Sequence, residues 1–425
     1  MKRALVLCGG GAKGAYEAGV YKALQQANLQ FDIVVGTSIG ALNGALIAQG
    51  DIREMIDLWE NLELDQVMNE GINFDLNFDA MYEQREQFPK FIKSYITSKG
   101  ADTEPLRQRI RSMANPKKIK RRGITYGCIC VRFPSLEPVY MTLDDMQEDE
   151  YAEWLIASSA CFPAFPVQTI NGQNYIDGGY FDNMPIQFAY SLGATEIIAV
   201  DLFKETHPEY ISQPDITYIR PSEDIGFFLN FENERFKKVI DIGYRDGLKA
   251  VGLAKGHKYT FYNSTWTRLG VQKTLQPFLD AIHRYDMEAT RQTKYFIKPN
   301  SLSPTLTVIK NAIGEYTDKS EYLIAISELA GTIFRMDHTQ IYHYHTFLKQ
   351  LKKSVKEKQM CCQLTFEASN LSELKTQIAS LDEQQVVLWA MNQLQSETPN
   401  NKQMQWMSAL YPKSMAAALF LTTLS

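Results

Sequence analysis

Two short turns in the first fifty residues, each between an apolar run and a helical pattern, constrain the fold more than any other feature. LVLCGGGAKGAYEAGV (Leu5 to Val20) passes from an apolar run through glycines into a helix-like pattern, and FDIVVGTSIGALNGALIAQG repeats that order from Phe31. Ala4 to Cys8 reads as a buried strand, and Val20, Ala23, Leu24 and Ala27 fall on one helical face. Phe31 to Val35 is the next strand, followed by a small-residue helix able to press closely on a sheet. Consecutive strand–helix units of this kind build a mainly parallel sheet. Further along, Ile124 to Val131 reads as a strand, Val167 to Ile170 and Asn174 to Ile176 flank Asn171-Gly172 as a hairpin, and EIIAVDLF is another buried strand.

From about residue 226 the pattern becomes helical, with Tyr322, Ile326, Leu329 and Ile333 on one stripe. A helix through Phe236 to Ala254 closes the first part, giving an expected α/β domain over 1–254 and a mostly helical region of unknown role over 255–425.

Composition narrows the function classes. The chain has 425 residues, 45% of them hydrophobic, which permits a substantial core, and its formal charge of -5 gives no overall case for nucleic acid. No apolar run approaches the roughly 18 residues of a spanning helix, and MKRALVLC is too short for a signal-peptide core, so a cytoplasmic protein is expected. Cys8, Cys128, Cys130, Cys161, Cys361 and Cys362 form no C-x-x-C pair, consistent with reduced, packed thiols. His338, His343 and His345 lack the spacing of a helical metal pair.

The glycine loop admits three readings. Gly9, Gly11 and Gly14 fit G-x-G-x-x-G, but a dinucleotide site also wants an acid at the end of the second strand, and Asp32 stands at its beginning. A P-loop needs Ser or Thr after Gly-Lys, whereas the order here is Lys13-Gly14-Ala15. The third reading comes from GTSIG, Gly36 to Gly40, at a strand-to-helix turn. That is the context of a nucleophile elbow, with small residues two positions either side of Ser38. Loops after adjacent parallel strands open on the same sheet edge, so N–H groups of Gly9, Gly10, Gly11 and Ala12 can gather beside Ser38 and hold a tetrahedral oxyanion.

A serine nucleophile needs a proton acceptor. His207 and His257 could supply the order Ser, Asp, His, but neither sits in a supporting motif. Asp177 in YIDGGYFDNMP ends a hairpin strand, and Gly178-Gly179 can leave its carboxylate uncovered; Asp182 is a second candidate.

GGGAKG, GTSIG and DGG in that order, with ASSACFPAFPVQTINGQNYIDGGYFDNMPI, resemble the patatin-like phospholipases over roughly the first 60% of the chain. The resemblance implies a three-layer α/β/α domain that hydrolyses lipid acyl esters without a cofactor. It implies Ser38 as nucleophile, Asp177 as general base, Gly9 to Gly14 as oxyanion loop, and Gly36, Gly40, Gly178 and Gly179 as supporting turns. Lys13 stands where many relatives have arginine, and a lysine offers a point charge in place of a planar fork. An ordinary aspartate near pKa 3.9 is a poorer acceptor than histidine by about 4 kcal/mol, so burial or oxyanion donors must compensate. A conventional Ser-Asp-His hydrolase and a nucleotide-binding protein remain the alternatives.

Apolar substrate contacts are expected from FPAFP (Phe162 to Pro166) and GFFLNF (Gly226 to Phe231). Arg107 to Arg122 holds eight basic and no acidic residues, and Lys117, Lys118, Lys120, Arg121 and Arg122 are candidates for contact with an anionic membrane. MAAALFLTTL near the C-terminus is too short to span a bilayer and reads as a packed helix.

Overall fold

The computed structural model describes residues 2–68, 102–203, 208–228, 233–266, 268–293, 319–359, 382–400 and 410–424, with isolated positions at 373, 376, 377, 403, 404 and 407. The chain divides into two compact units, Met1–Val251 and Gly252–Ser425.

The first unit opens as expected. β1 (Arg3–Leu7) leads through the glycine loop into α1 (Ala15–Gln26), and β2 (Ile33–Thr37) leads through Ser38 into α2 (Ile39–Gln49) and α3 (Ile52–Glu60). There follow α4 (Glu104–Met113), α5 (Pro116–Arg122), β3 (Thr125–Phe133), β4 (Pro138–Thr142), α6 (Tyr151–Ser158), β5 (Gln168–Ile170), β6 (Gln173–Asp177) and α7 (Ile186–Ser191). β7 (Glu196–Val200), α8 (Pro208–Ile211), β8 (Ile216–Ile219) and α9 (Asn233–Ala250) complete it. The hairpin turn takes the left-handed geometry that Asn-Gly favours, with φ of 52° at Asn171 and 74° at Gly172. Two strands, β4 and β8, were not anticipated: β4 is a half-exposed edge with weak alternation, and β8 is only four residues long. α9 ends at Ala250, and Ala254–Lys255 is a strand in place of the expected helix end.

The sheet runs β5-β6-β3-β2-β1-β7-β8, with β4 also on β3. β1 lies between β2 and β7, with β3 beyond β2 and β8 beyond β7, all parallel, while β4, β5 and β6 add antiparallel pairings. Helices cover both faces. The Tyr126 hydroxyl donates to the Ala41 carbonyl of α2 at 2.8 Å. The next residue, Gly127, points the other way: a Cβ there would lie 2.6 Å from the Phe188 ring of α7. The result is a three-layer α/β/α arrangement, and Ala4 to Leu7 of β1, covered on both sides, are fully buried.

The registers on β3 decide where the strand ends meet. Gly127 to Ile129 pair with both β2 and β4, so those two strands occupy opposite edges of β3. Cys130 and Val131 pair with both β4 and β6, which puts β6 on the same edge as β2. β2 ends at Thr37 opposite Ile129, and β6, running the other way, ends at Asp177 opposite Cys130. The two strands therefore converge at adjacent rungs of one edge.

The second unit is mostly helical: α10 (Arg268–Thr293), α11 (Lys319–Ile333), α12 (Tyr344–Gln359), α13 (Glu383–Gln395) and α14 (Pro412–Leu424). The Tyr322 to Ile333 stripe lies on α11, with Ile326 fully buried. A small sheet absent from the sequence reading, β9 (Ala254–Lys255), β10 (Thr260–Tyr262) and β11 (Ile341–Tyr342), supports an aromatic cluster in which Phe261 and Phe347 meet edge-on at 5.1 Å. MAAALFLTTL belongs to α14, whose residues Ser414 to Leu421 are all buried. Among the described residues no helix is long and apolar enough to cross a membrane.

Candidate active site

Ser38 caps α2 with φ 55° and ψ −124°, a conformation that costs a non-glycine residue on the order of 1–3 kcal/mol and persists only where neighbours over-determine it. Three hydrogen bonds do so. Ser38 N–H donates to Ser158 Oγ at 3.0 Å, and the Ser38 carbonyl accepts from the amides of Ala41 and Leu42 at 2.9 and 3.2 Å. Close approach demands the flanking glycines: a Cβ on Gly36 would lie 2.3 Å from the Gly40 carbonyl oxygen, and one on Gly40 2.5 Å from that of Leu7. The turn thus throws the serine side chain out beyond the sheet edge.

Asp177 arrives from β6. Its backbone N–H donates to the Ala160 carbonyl at 2.9 Å, and its carboxylate accepts from Gly179 N–H at 2.8 Å within the short Gly178–Tyr180 turn. The Ser38 hydroxyl faces the same carboxylate and favours its charged form. Burial pushes the carboxyl up to about 7, against the opposing pull of the Ser38 hydroxyl and the Gly179 amide. Asp182, the second candidate, directs its carboxylate to the Tyr140 hydroxyl at 3.4 Å.

The glycine loop packs against this pair. A Cβ on Gly9 would stand 3.1 Å from Ser38 Cβ, and one on Gly14 2.4 Å from Ile39 Cγ1. Two of the four expected donors are committed elsewhere: Gly9 N–H to the Asn183 carbonyl at 3.2 Å, and Ala12 N–H to the Phe228 carbonyl at 2.6 Å. Gly10 and Gly11 have no protein acceptor for their amides among the described residues. Each backbone N–H donates once, and long-range partners claim the outer pair. Gly11 takes φ +52°, open to glycine with little strain. Lys13 is buried with its ammonium 4.2 Å from the centre of the Phe203 ring.

Ser38, Asp177, Gly10, Gly11 and Lys13 line one cavity of about 210 Å³. The rest of its wall is largely apolar, including Leu42, Leu46, Trp59, Ile110 and Phe165. Of the two expected apolar segments, FPAFP contributes Phe165, and GFFLNF contributes Phe228 while its Leu229 to Phe231 lie outside the described residues. No histidine lines the cavity among the described residues. His257 belongs to the second unit and faces Glu321 at 3.5 Å, and His207 lies outside the described residues. Asp32 accepts the Arg3 amide at 2.8 Å at the start of β2, the end of that strand remote from the glycine loop. The thiols of Cys128 and Cys161 are pushed by burial up to about 12, while Cys361 and Cys362 lie outside the described residues. Among the described residues no group of three His, Cys, Asp or Glu side chains could hold a metal ion.

Sequence reasoning missed the residues that hold the site. Ser158, the last residue of α6, and Ala160, two residues on, bind the backbone of Ser38 and Asp177 respectively. Asn183 grips the glycine loop, its side-chain amide donating to Cys8 Sγ at 3.0 Å and the Gly9 carbonyl at 3.1 Å. The motif DNMP after the two glycines was the available signal.

Residues 5–190 match the model of the patatin-like phospholipase family. Lysophospholipase NTE1 of Chaetomium globosum is 28% identical over 199 residues, and the patatin-like phospholipase domain-containing protein ZK370.4 of Caenorhabditis elegans 29% identical over 215. Each match covers 47% of this chain and only 12% or 13% of the relative. Among solved structures, VipD from Legionella pneumophila is similar with 16% identity and a TM-score of 0.40, over 99% of this chain and 90% of that one.

The raised carboxyl carries a stability signature. Between about pH 4 and 7 the folded chain keeps a proton on Asp177 that the unfolded chain has released, so stability falls as pH rises through that window. Above it the buried charge costs on the order of 4 kcal/mol, and below it nothing. Asp177→Asn removes the charge and keeps an oxygen for Gly179. Its melting temperature should exceed that of the wild type at pH 8, with the gap closing toward pH 4; a variant that melts lower at pH 8 contradicts the assignment.

Proposed function

We propose that the patatin-like phospholipase domain carried by this chain is a serine lipid acyl hydrolase working through a Ser38–Asp177 dyad. One observation supports this above all: the Ser38 hydroxyl faces a buried carboxyl raised to about 7, in the same cavity as two glycine amides with no acceptor among the described residues. Asp177 takes the serine proton as Oγ attacks the ester carbonyl carbon. Negative charge then appears on the former carbonyl oxygen, where the Gly10 and Gly11 N–H groups can receive it. Collapse expels the alcohol, which leaves with the proton from Asp177, and the acyl chain stays on Ser38. Water, deprotonated by Asp177, attacks the acyl-enzyme, releasing the fatty acid and restoring the hydroxyl.

A base near pKa 7 is matched to neutral pH and removes most of the deficit of an ordinary aspartate. The two amides, at about 2.7–4 kcal/mol each, add transition-state stabilisation. The NTE1 relatives are lysophospholipases, and a largely apolar cavity suits a lipid acyl group, so lipid esters are the substrate class. A Ser-Asp-His triad is disfavoured because no described histidine reaches the cavity.

The working enzyme would be cytoplasmic, meeting an anionic membrane through α5. Lys117 and Lys118 pair with Glu148 and Asp51 at 2.7 and 2.6 Å, which leaves Lys120, Arg121 and Arg122 exposed as the principal contacts.

Ser38→Ala should abolish lysophospholipid hydrolysis and labelling by a fluorophosphonate probe. Asp177→Asn should lower kcat/KM by at least about a thousandfold, and the wild-type rate should climb with pH through about 7. Full turnover in either variant refutes the dyad. Changing Lys120, Arg121 and Arg122 together to Gln should weaken binding to phosphatidylserine-rich vesicles by roughly a hundredfold, at about 1 kcal/mol per residue; unchanged binding removes α5 from the membrane contact.

A further inference from the structure

The cavity has a shape that ester cleavage alone does not require. The α2 residues that line it include Ser38 at the cap, then Leu42, Ala45, Leu46 and Gln49, a single stripe along the whole helix. At 1.5 Å per residue, a helix of 11 residues makes that stripe about 16 Å long.

Its two ends differ. One holds Ser38 and Asp177. At the other, Gln49 is 4% exposed and all its side-chain polar atoms are engaged: Nε2 donates to the Met113 carbonyl at 3.1 Å and Asp51 Oδ2 at 2.9 Å, and Oε1 accepts from Asn115 N–H at 2.7 Å. Lys118 Nζ reaches the other Asp51 oxygen at 2.6 Å. This network ties the end of α2 to the end of α4 and to the start of α5, and it lines that end of the cavity with a glutamine whose polar atoms gain nothing from an alkyl chain.

We propose that the cavity is a ruler for one extended acyl chain, with the ester carbon at Ser38 and the terminal methyl stopped by Gln49. The inference rests on the acyl-hydrolase reading above. A C–C bond of about 1.5 Å advances an extended chain by about 1.3 Å, so a length of about 16 Å holds roughly a dozen carbons. Each methylene buried on the way contributes about fourfold to kcat/KM. The gain stops at the floor, because a longer chain must bend or displace a fully bonded glutamine. Ala45 stands seven residues from Ser38, about 10 Å along the helix, and is 3% exposed with only a methyl group facing the tunnel. A large side chain there would halt the acyl group at about eight carbons.

The test uses the full chain and saturated acyl esters of a single alcohol, lengthened stepwise past the limit, with kcat/KM measured for each. The wild type should gain about fourfold per carbon up to roughly twelve and then level or fall. Ala45→Phe should move the break to about eight carbons, Ala45→Val should move it less, and Gln49→Ala should move it beyond the wild-type value. A wild-type profile that climbs unbroken through the longest chain overturns the ruler whatever the variants do. So does an unmoved break in variants that melt as the wild type does. Failure to cleave any member of the series overturns the hydrolase reading itself, and the ruler with it.

Discussion

The site depends on one constraint of the sheet: β2 and β6 share an edge of β3 and run toward each other. Parallel pairing carries β2 to Thr37 opposite Ile129, and antiparallel pairing brings β6 to Asp177 opposite Cys130. Both strands end at neighbouring residues of one β3 edge, so Ser38, the residue after β2, and Asp177, the last of β6, arrive at the same end of the sheet. The same edge accounts for the support around them. Ser158 and Ala160 hold the backbones of both residues, and Thr37 Oγ1 donates to the Asp182 carbonyl at 2.9 Å, tying the strand end to the loop after the two glycines.

That meeting place sets the chemistry of the carboxyl. Burial favours the protonated form, and the Ser38 hydroxyl and Gly179 amide favour the charged one. Burial is the largest influence, and the balance settles at about 7. A cation directly on Asp177 would strengthen the charged form and weaken the base. Lys13 lines the same cavity but holds its ammonium over Phe203. The strained elbow at Ser38 and the buried charge above neutral pH are both stability costs carried by the fold around them.

What could be seen in the sequence was what is local. GTSIG announces its turn because the clash that demands glycine at Gly36 is with Gly40, four residues on, and Asn171-Gly172 announces its hairpin because the left-handed φ of a two-residue turn is local to those two residues. The commitment of Gly9 N–H to Asn183 and of Ala12 N–H to Phe228 joins residues far apart in the chain, and no spacing rule exposes it. α2 illustrates a different limit. Its residues are almost all buried, with Gly44 against Val34 and Leu7 of the sheet and Leu42 and Leu46 against the cavity. An apolar face toward packed neighbours and an apolar face toward an open tunnel produce the same letters, so the helix reads as core. The small sheet of the second unit was invisible because its strands have two or three residues each.

The central claim, that Asp177 is a carboxyl poised between burial and the Ser38 hydroxyl, is tested most directly by titrating it. Chains labelled with carboxyl-13C aspartate, compared with Asp177→Asn to assign the signal, should show this group titrating near 7, and higher still in Ser38→Ala, where one stabilising hydrogen bond is gone. A midpoint near 4 that does not respond to the loss of Ser38 would contradict the account.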